Sequence, residues 1–179
     1  MTDTSQDAAT PEIDPAVLAK LNELRSHVRQ TYGHVVMAMM ALPRYRHQTL
    51  ADLQHLVLDP LVHDRIAIAY SRKAEGDVQP DVAGMAIWAS VSEEVDAKIR
   101  EQIKGGAFPI RLKQNEWNSG DINWLLDILS TDRKTTGSVL ANFKQVVKDG
   151  ELRLHPLVGK LIEPEMLEKI SRKPEPVED

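Results

Sequence analysis

Asn118-Ser-Gly-Asp-Ile-Asn-Trp-Leu-Leu-Asp127 runs from a polar turn into an apolar segment, Ile122 to Leu129, that reads as the central strand of an α/β sheet. Asp127 lies within that segment, between Leu126 and Ile128. An ionised carboxylate among such neighbours is costly and is kept where a partner or a reaction requires it. The residues alone leave both uses open. Asp127 takes part in chemistry, or it pairs with an arginine such as Arg46 or caps a neighbouring loop.

Working outward, Ser92 followed by Glu93 and Glu94 predicts a capped helix with Val95, Ile99 and Ile103 on its inner face, stopping at Gly105-Gly106. Thr135 to Lys148 predicts a second helix with Val139, Leu140, Phe143, Val146 and Val147 inward, ended by Asp149-Gly150, and Glu151 to His155 alternates as a last strand. Upstream, Arg65 to Tyr70 and Val82 to Ala89 read as a hairpin across the turn-rich Glu75-Gly76-Asp77 and Pro80. The start of the chain is helical. Asp14-Pro15 opens a helix with Val17, Leu21, Leu24 and Val28 on one face. After Gly33, Val35 to Leu42 predicts a separate buried helix ended by Pro43, and Thr49 starts a third with Leu50, Leu53 and Leu56 inward, closed by Asp59-Pro60. The order predicts an α/β domain with a mixed sheet.

A chain of 179 residues that is 42% hydrophobic supports one core and is short for two. The polar start and the Pro-and-charge-rich end predict tails at 1–11 and 171–179 around one domain at 12–170. No basic segment leads into an apolar one, and no apolar run approaches the roughly 20 residues a bilayer span requires, so an unexported cytoplasmic protein without a membrane span is expected. The lack of cysteine removes disulfides, thiolate nucleophiles and thiolate metal sites. A formal charge of -5 argues against general nucleic-acid binding but leaves room for a local basic face. His34, His47, His55 and His63 match no compact zinc spacing, and no metal is expected.

Three blocks carry a family resemblance over roughly residues 32 to 155. Ser119-Gly120-Asp121 leads into Trp124-Leu125-Leu126-Asp127; Gly33-His34-Val35 is followed by Pro43-Arg44-Tyr45-Arg46; and Ala83-Gly84-Met85-Ala86-Ile87-Trp88-Ala89 precedes Val91-Ser92 and an acidic helix start. Together they resemble the toxin-activating lysine acyltransferases of the haemolysin C type, which acylate RTX toxins. The resemblance implies a single-domain, acetyltransferase-like (GNAT) fold, with a mixed, mostly antiparallel sheet flanked by helices. In that fold the donor's phosphopantetheine arm enters between two splayed strands. It also implies acyl carrier protein as donor partner, an RTX-type protoxin as acceptor, and a catalytic aspartate at Asp127. A homodimer is compatible with it.

One departure stands out. The family's catalytic histidine precedes the arginine of Pro-x-x-Arg, and that position is Tyr45 here; His47 follows two residues later. Lysine attack on a thioester requires a neutral amine, for which an imidazole with a pKa of about 6.5 is a suitable base. A phenol near 10 is a poor base and a reasonable acid for a departing thiolate. Asp127, His47 and Tyr45 are therefore the catalytic candidates. Arg133, Lys134, Gly137 and Ser138, at a helix start, are candidates for holding the pantetheine phosphate, against the plainer alternative of a capped helix with solvated charges. Arg44, Arg46, Lys144, Lys148 and Arg153 extend them into a docking face for an acidic carrier. Asp121 reads as a turn residue, and Trp88, Trp117 and Trp124 as packing. Two other functions remain: an adaptor that has lost its chemistry with the histidine, and an acetyl-coenzyme A acetyltransferase whose glycine-rich loop is half present in Arg133 to Ser138.

Overall fold

The computed structural model describes residues 14–71, 81–130, 133–146 and 151–162. The predicted tails, the hairpin turn and Lys148-Asp149-Gly150 lie outside them, as do the side chains of Arg133, Lys134 and Lys144. Four strands pair in chain order: β1 (Ile66–Tyr70), β2 (Val82–Val91), β3 (Ile122–Ser130) and β4 (Glu151–Leu154). The first two pairings are antiparallel and the third is parallel. The expected mixed sheet flanked by helices is thus present.

Both faces of the sheet are covered. On one lie α1 (Pro15–Met40), the segments α2 (Leu50–Leu53) and α3 (Asp59–Val62), and α4 (Glu93–Lys104). They pack Val35, Met39, Leu56, Val57, Val95 and Ile99 against Met85, Ile87, Trp124, Leu126 and Leu129. On the other lie α5 (Arg133–Val146) and the short α6 (Pro156–Gly159), which place Val139, Leu140, Phe143 and Val158 on Ala86, Trp88, Leu125 and Ile128. Gly84 permits the close approach of α5, because a Cβ there would stand 2.7 Å from Val139 Cγ2 and from the Leu129 carbonyl oxygen.

Several expectations change. The two helices predicted on either side of Gly33 are one, α1, because Gly33 lies in open space and helical hydrogen bonds continue through it. Only Thr31, Val35 and Met39 of α1 are buried. Val17, Leu21 and Leu24, predicted to share the apolar face of an amphipathic helix, are 47%, 41% and 59% exposed. Leu50 is likewise exposed while Asp52 is buried, its carboxylate closing a capping box with Thr49. Asp59-Pro60 does not close the third helix. Pro60 cannot donate to Leu56, and the chain accommodates it with a π-helical turn over Gln54–Leu58, where the Asp59 N–H reaches back to the Gln54 carbonyl.

The register of β2 against β3 matters most for function. Ile87 pairs with Asp127 and Trp88 with Leu125, so Leu126 is an extra residue on β3. This bulge breaks the alternation of side chains. Without it Asp127 would share the face of Leu125, under α5. With it Asp127 turns to the face of Ile87 and Leu129, toward the turn that carries Tyr45.

Candidate active site

Pro43 opens a 3-10 turn over Pro43–Tyr45, which aims Arg44 and Tyr45 at the bulged part of β3. Tyr45 is 6% exposed and its hydroxyl donates to Asp127 Oδ2 at 2.7 Å. Asp127 Oδ1 accepts from the Ile128 N–H at 2.8 Å and stands 3.2 Å from Arg44 Nη2. Arg44 also donates to the Tyr45 hydroxyl oxygen and to the Ile128 carbonyl. The predicted arginine partner of the carboxylate is therefore Arg44 and not Arg46, which is exposed. A 3-10 turn rotates successive residues by about 120°, so side chains two apart leave it in different directions.

Burial dominates the electrostatics. Desolvation raises the Asp127 pKa above the usual carboxylate range, against Arg44, the Tyr45 hydroxyl and the Ile128 N–H, which favour the charged form. Burial and the neighbouring Asp127 push the Tyr45 phenol far above its ordinary 10, so it stays a neutral O–H donor. A phenol that donates to a carboxylate able to take up a proton is a short relay.

His155 is a member of the site that sequence analysis placed only as a strand end. β4 pairs with β3 as far as Leu125, where the His155 N–H donates to the Leu125 carbonyl at 3.0 Å; β3 then continues to Ser130 without β4 beside it. The imidazole, 4% exposed, accepts the Leu157 N–H at Nδ1 over 3.2 Å, which places the proton of the neutral ring on Nε2. Nε2 is buried with no hydrogen-bond partner among the described residues. Burial lowers the pKa of the ring, opposed by the charge of Asp127. Its ring lies 6.2 Å from Phe108, which in turn lies 6.4 Å from Tyr45. No spacing signal flags a histidine of this kind, whose role depends on where two strands part.

Asp127 opens on a cavity of about 10 Å³ that is also lined by His55, Ile87, Phe108, Ile110, Trp117 and Leu126. The remaining candidates lie elsewhere. His47 is exposed and makes no hydrogen bond to Asp127. Asp121 is exposed beside Gly120, while Ser119 accepts the Ser92 N–H at 3.0 Å and fastens this loop to the start of α4. Gly137 and Ser138 are in the second turn of α5, and Thr136 shares a 2.6 Å hydroxyl contact with Ser130 at the end of β3. Of the proposed docking cations, Arg44 is committed to Asp127 and Arg153 to the buried Asp96. Among the described residues no group of three or more acidic, His or Cys side chains is placed to hold a metal, and no helix is long and apolar enough to cross a membrane.

Comparison with curated proteins gave no match. Comparison with protein families gave one over residues 24–145 of the 179, to HlyC, the RTX toxin acyltransferase family, and this span includes Tyr45, Asp127 and the strands that bring them together. The chain belongs to that family: it is a cytoplasmic protein-lysine acyltransferase that acts on RTX-type protoxins with acyl carrier protein as the external acyl donor.

Proposed function

We infer that in this chain Tyr45 and Asp127 together do the proton transfer that the family assigns to a histidine, and that the acyl group is a fatty acyl placed on internal lysines. The observation that carries this is the buried 2.7 Å hydrogen bond from the phenol to Asp127, at the position where the family has its histidine. As the lysine nitrogen bonds to the thioester carbon, the phenol oxygen takes a proton from nitrogen while its own proton passes to Asp127 Oδ2. The steps reverse when the C–S bond breaks, and the thiolate receives the proton. No free phenolate is formed, so the raised pKa of Tyr45 is no obstacle. His155 Nε2–H, a neutral donor at the parting of β3 and β4, hydrogen-bonds the carbonyl oxygen as negative charge develops on it.

The 10 Å³ cavity admits about one water and is too small for an acyl thioester, so the arriving donor must part the Phe108–Ile110 wall. The phosphate of the donor arm is assigned to the start of α5. There Arg133 and Lys134 are the first two residues of the helix and Gly137 and Ser138 lie in its second turn, so the positive end of the helix dipole and the two cations together favour an anion. Residues 12–170 are taken as the working domain. The apolar residues Val17, Leu21 and Leu24 on α1 favour a homodimer, which concentration-dependent sedimentation would reveal.

Single-turnover transfer from acyl carrier protein tests the relay. Tyr45→Phe is expected to slow it by roughly 10² to 10³ and His47→Ala by less than about twofold. A Tyr45→Phe protein that keeps most of its rate, or a larger loss in His47→Ala, would remove Tyr45 from the mechanism.

A further inference from the structure

The lysine nitrogen gives up two protons on acylation, one of which ends on the departing sulfur, and the Tyr45–Asp127 relay accounts for that one alone. An ε-ammonium loses its first proton before it can attack and its second as the amide forms. The relay ends in a carboxylate that is 2% exposed, so it can return its proton to the leaving thiolate but has no route to water. A second acceptor is needed at the cavity, in contact with both the entering lysine and solvent.

His55 meets these conditions. It lines the same cavity as Asp127, its side chain is 21% exposed, and its Nδ1 lies 3.1 Å from Asp59 Oδ2. A carboxylate accepts only, so Nδ1 carries the proton and Nε2 presents its lone pair. Asp59 is itself held: it is buried, and its carbonyl accepts from His63 Nδ1 at 2.8 Å while the His63 ring stacks on Trp117, another wall of the cavity. The pair spans the π-helical turn over Gln54–Leu58, a distortion that often marks functional sites.

We propose that His55, oriented by Asp59, is the base that takes the ammonium proton of the incoming lysine, ahead of the Tyr45–Asp127 relay on whose role this rests. In sequence, His55 Nε2 accepts a proton from the ε-ammonium and later passes it to solvent. The freed amine pair forms the C–N bond, and the carbonyl pair moves to oxygen. The relay removes the second nitrogen proton; the C=O re-forms, the C–S bond breaks, and the relay's proton goes to sulfur. The products are amide, thiol and one proton released to water.

Comparing two acceptors against one acyl-carrier donor provides the test. The first is an RTX-type protoxin fragment, whose lysines are ammonium at neutral pH. The second is hydroxylamine, which is already neutral there and needs no first deprotonation. In His55→Gln and in Asp59→Asn, the ratio of lysine to hydroxylamine transfer should fall by about 10² or more relative to the parent. Asp127→Asn should slow both acceptors together and leave the ratio unchanged, so loss of the relay is told apart from loss of His55. The proposal is overturned if both the His55 and Asp59 variants keep the parent ratio, whether their rates are normal or depressed. Asp59→Asn serves as the second reading should His55→Gln disturb the π turn.

Discussion

Asp96 and Asp127 are 3% and 2% exposed, and each leans on arginine, yet burial is outweighed at the first and prevails at the second. At Asp96 burial pushes the pKa up, but Arg100, Arg153 and the Trp124 indole N–H at 2.8 Å together pull it below the usual range. At Asp127 one partly exposed arginine, a phenol and a single backbone N–H do not offset full desolvation. The first carboxylate ties α4 to β3 and β4 and is held in its charged form. The second is left able to change protonation state. Exchange with a reacting group requires this, and a structural ion pair avoids it.

Neutralising each acid separates the roles. Asp127→Asn should lower acyl transfer by about 10³ or more, while unfolding free energy changes by less than about 1 kcal/mol, since the amide oxygen can keep the Ile128 N–H and Arg44 while its NH2 turns to the Tyr45 oxygen, and no buried charge is left. Asp96→Asn should do the reverse: about 2–4 kcal/mol of stability lost, with the protein that remains folded transferring acyl groups near the parent rate. If Asp127→Asn is the less stable of the two, the contrast between a structural and a reactive acid is wrong.

The two acids also predict opposite responses to pH. Asp96 titrates lower in the folded chain than the unfolded 3.8, so its stabilisation is present above that value and is lost as pH falls through the folded pKa. Asp127 titrates higher when folded, so its protonated form stabilises the fold in acid and that contribution is lost as pH rises through the folded pKa. Urea unfolding from pH 3 to 7 should therefore show a shallower acid limb in Asp96→Asn and a rising stability relative to the parent in Asp127→Asn. Tyr45 adds an alkaline arm. Above its ordinary value of 10 the unfolded chain ionises while the folded phenol does not, so stability falls with pH there, and Tyr45→Phe should flatten that limb.

The sequence makes Asp127 conspicuous, and the hairpin, α4, β3, α5 and β4 follow from periodicity and from Ser and Gly punctuation. Asp96 gives no such sign, because an acid in the first turn of a helix reads as dipole compensation until Trp124 and Arg153 arrive from other elements. The bulge at Leu126 has no Gly or Pro to announce it, yet it decides which face Asp127 serves. Arg44 and Arg46 are indistinguishable until the 3-10 turn fixes their directions. His55 and Asp59 stand four apart, a spacing that by itself means no more than a helix-surface contact, and only the cavity gives it a further meaning. Local signals thus carried the elements, and pairings between elements made the site.

The smallest expected effect concerns the donor. Arg44 and Arg153 are bound to carboxylates inside the fold, so the prediction for an acidic carrier is placed on Arg133 and Lys134, the first residues of α5. Cations at a helix N-terminus oppose the helix dipole, an arrangement that disfavours the helix by about 0.3–1 kcal/mol each, so the sequence keeps them for something other than stability. Long-range attraction to an acidic carrier would supply that reason, and it is screened as the Debye length falls from about 10 Å at 0.1 M salt to about 3 Å at 1 M. Replacing both with alanine should slow association with acyl carrier protein by up to about tenfold at low salt and flatten its salt dependence. Unfolding stability should be unchanged or slightly raised. Association that is salt-independent in the parent, or equally fast in the double variant, would move the carrier to another face of the molecule.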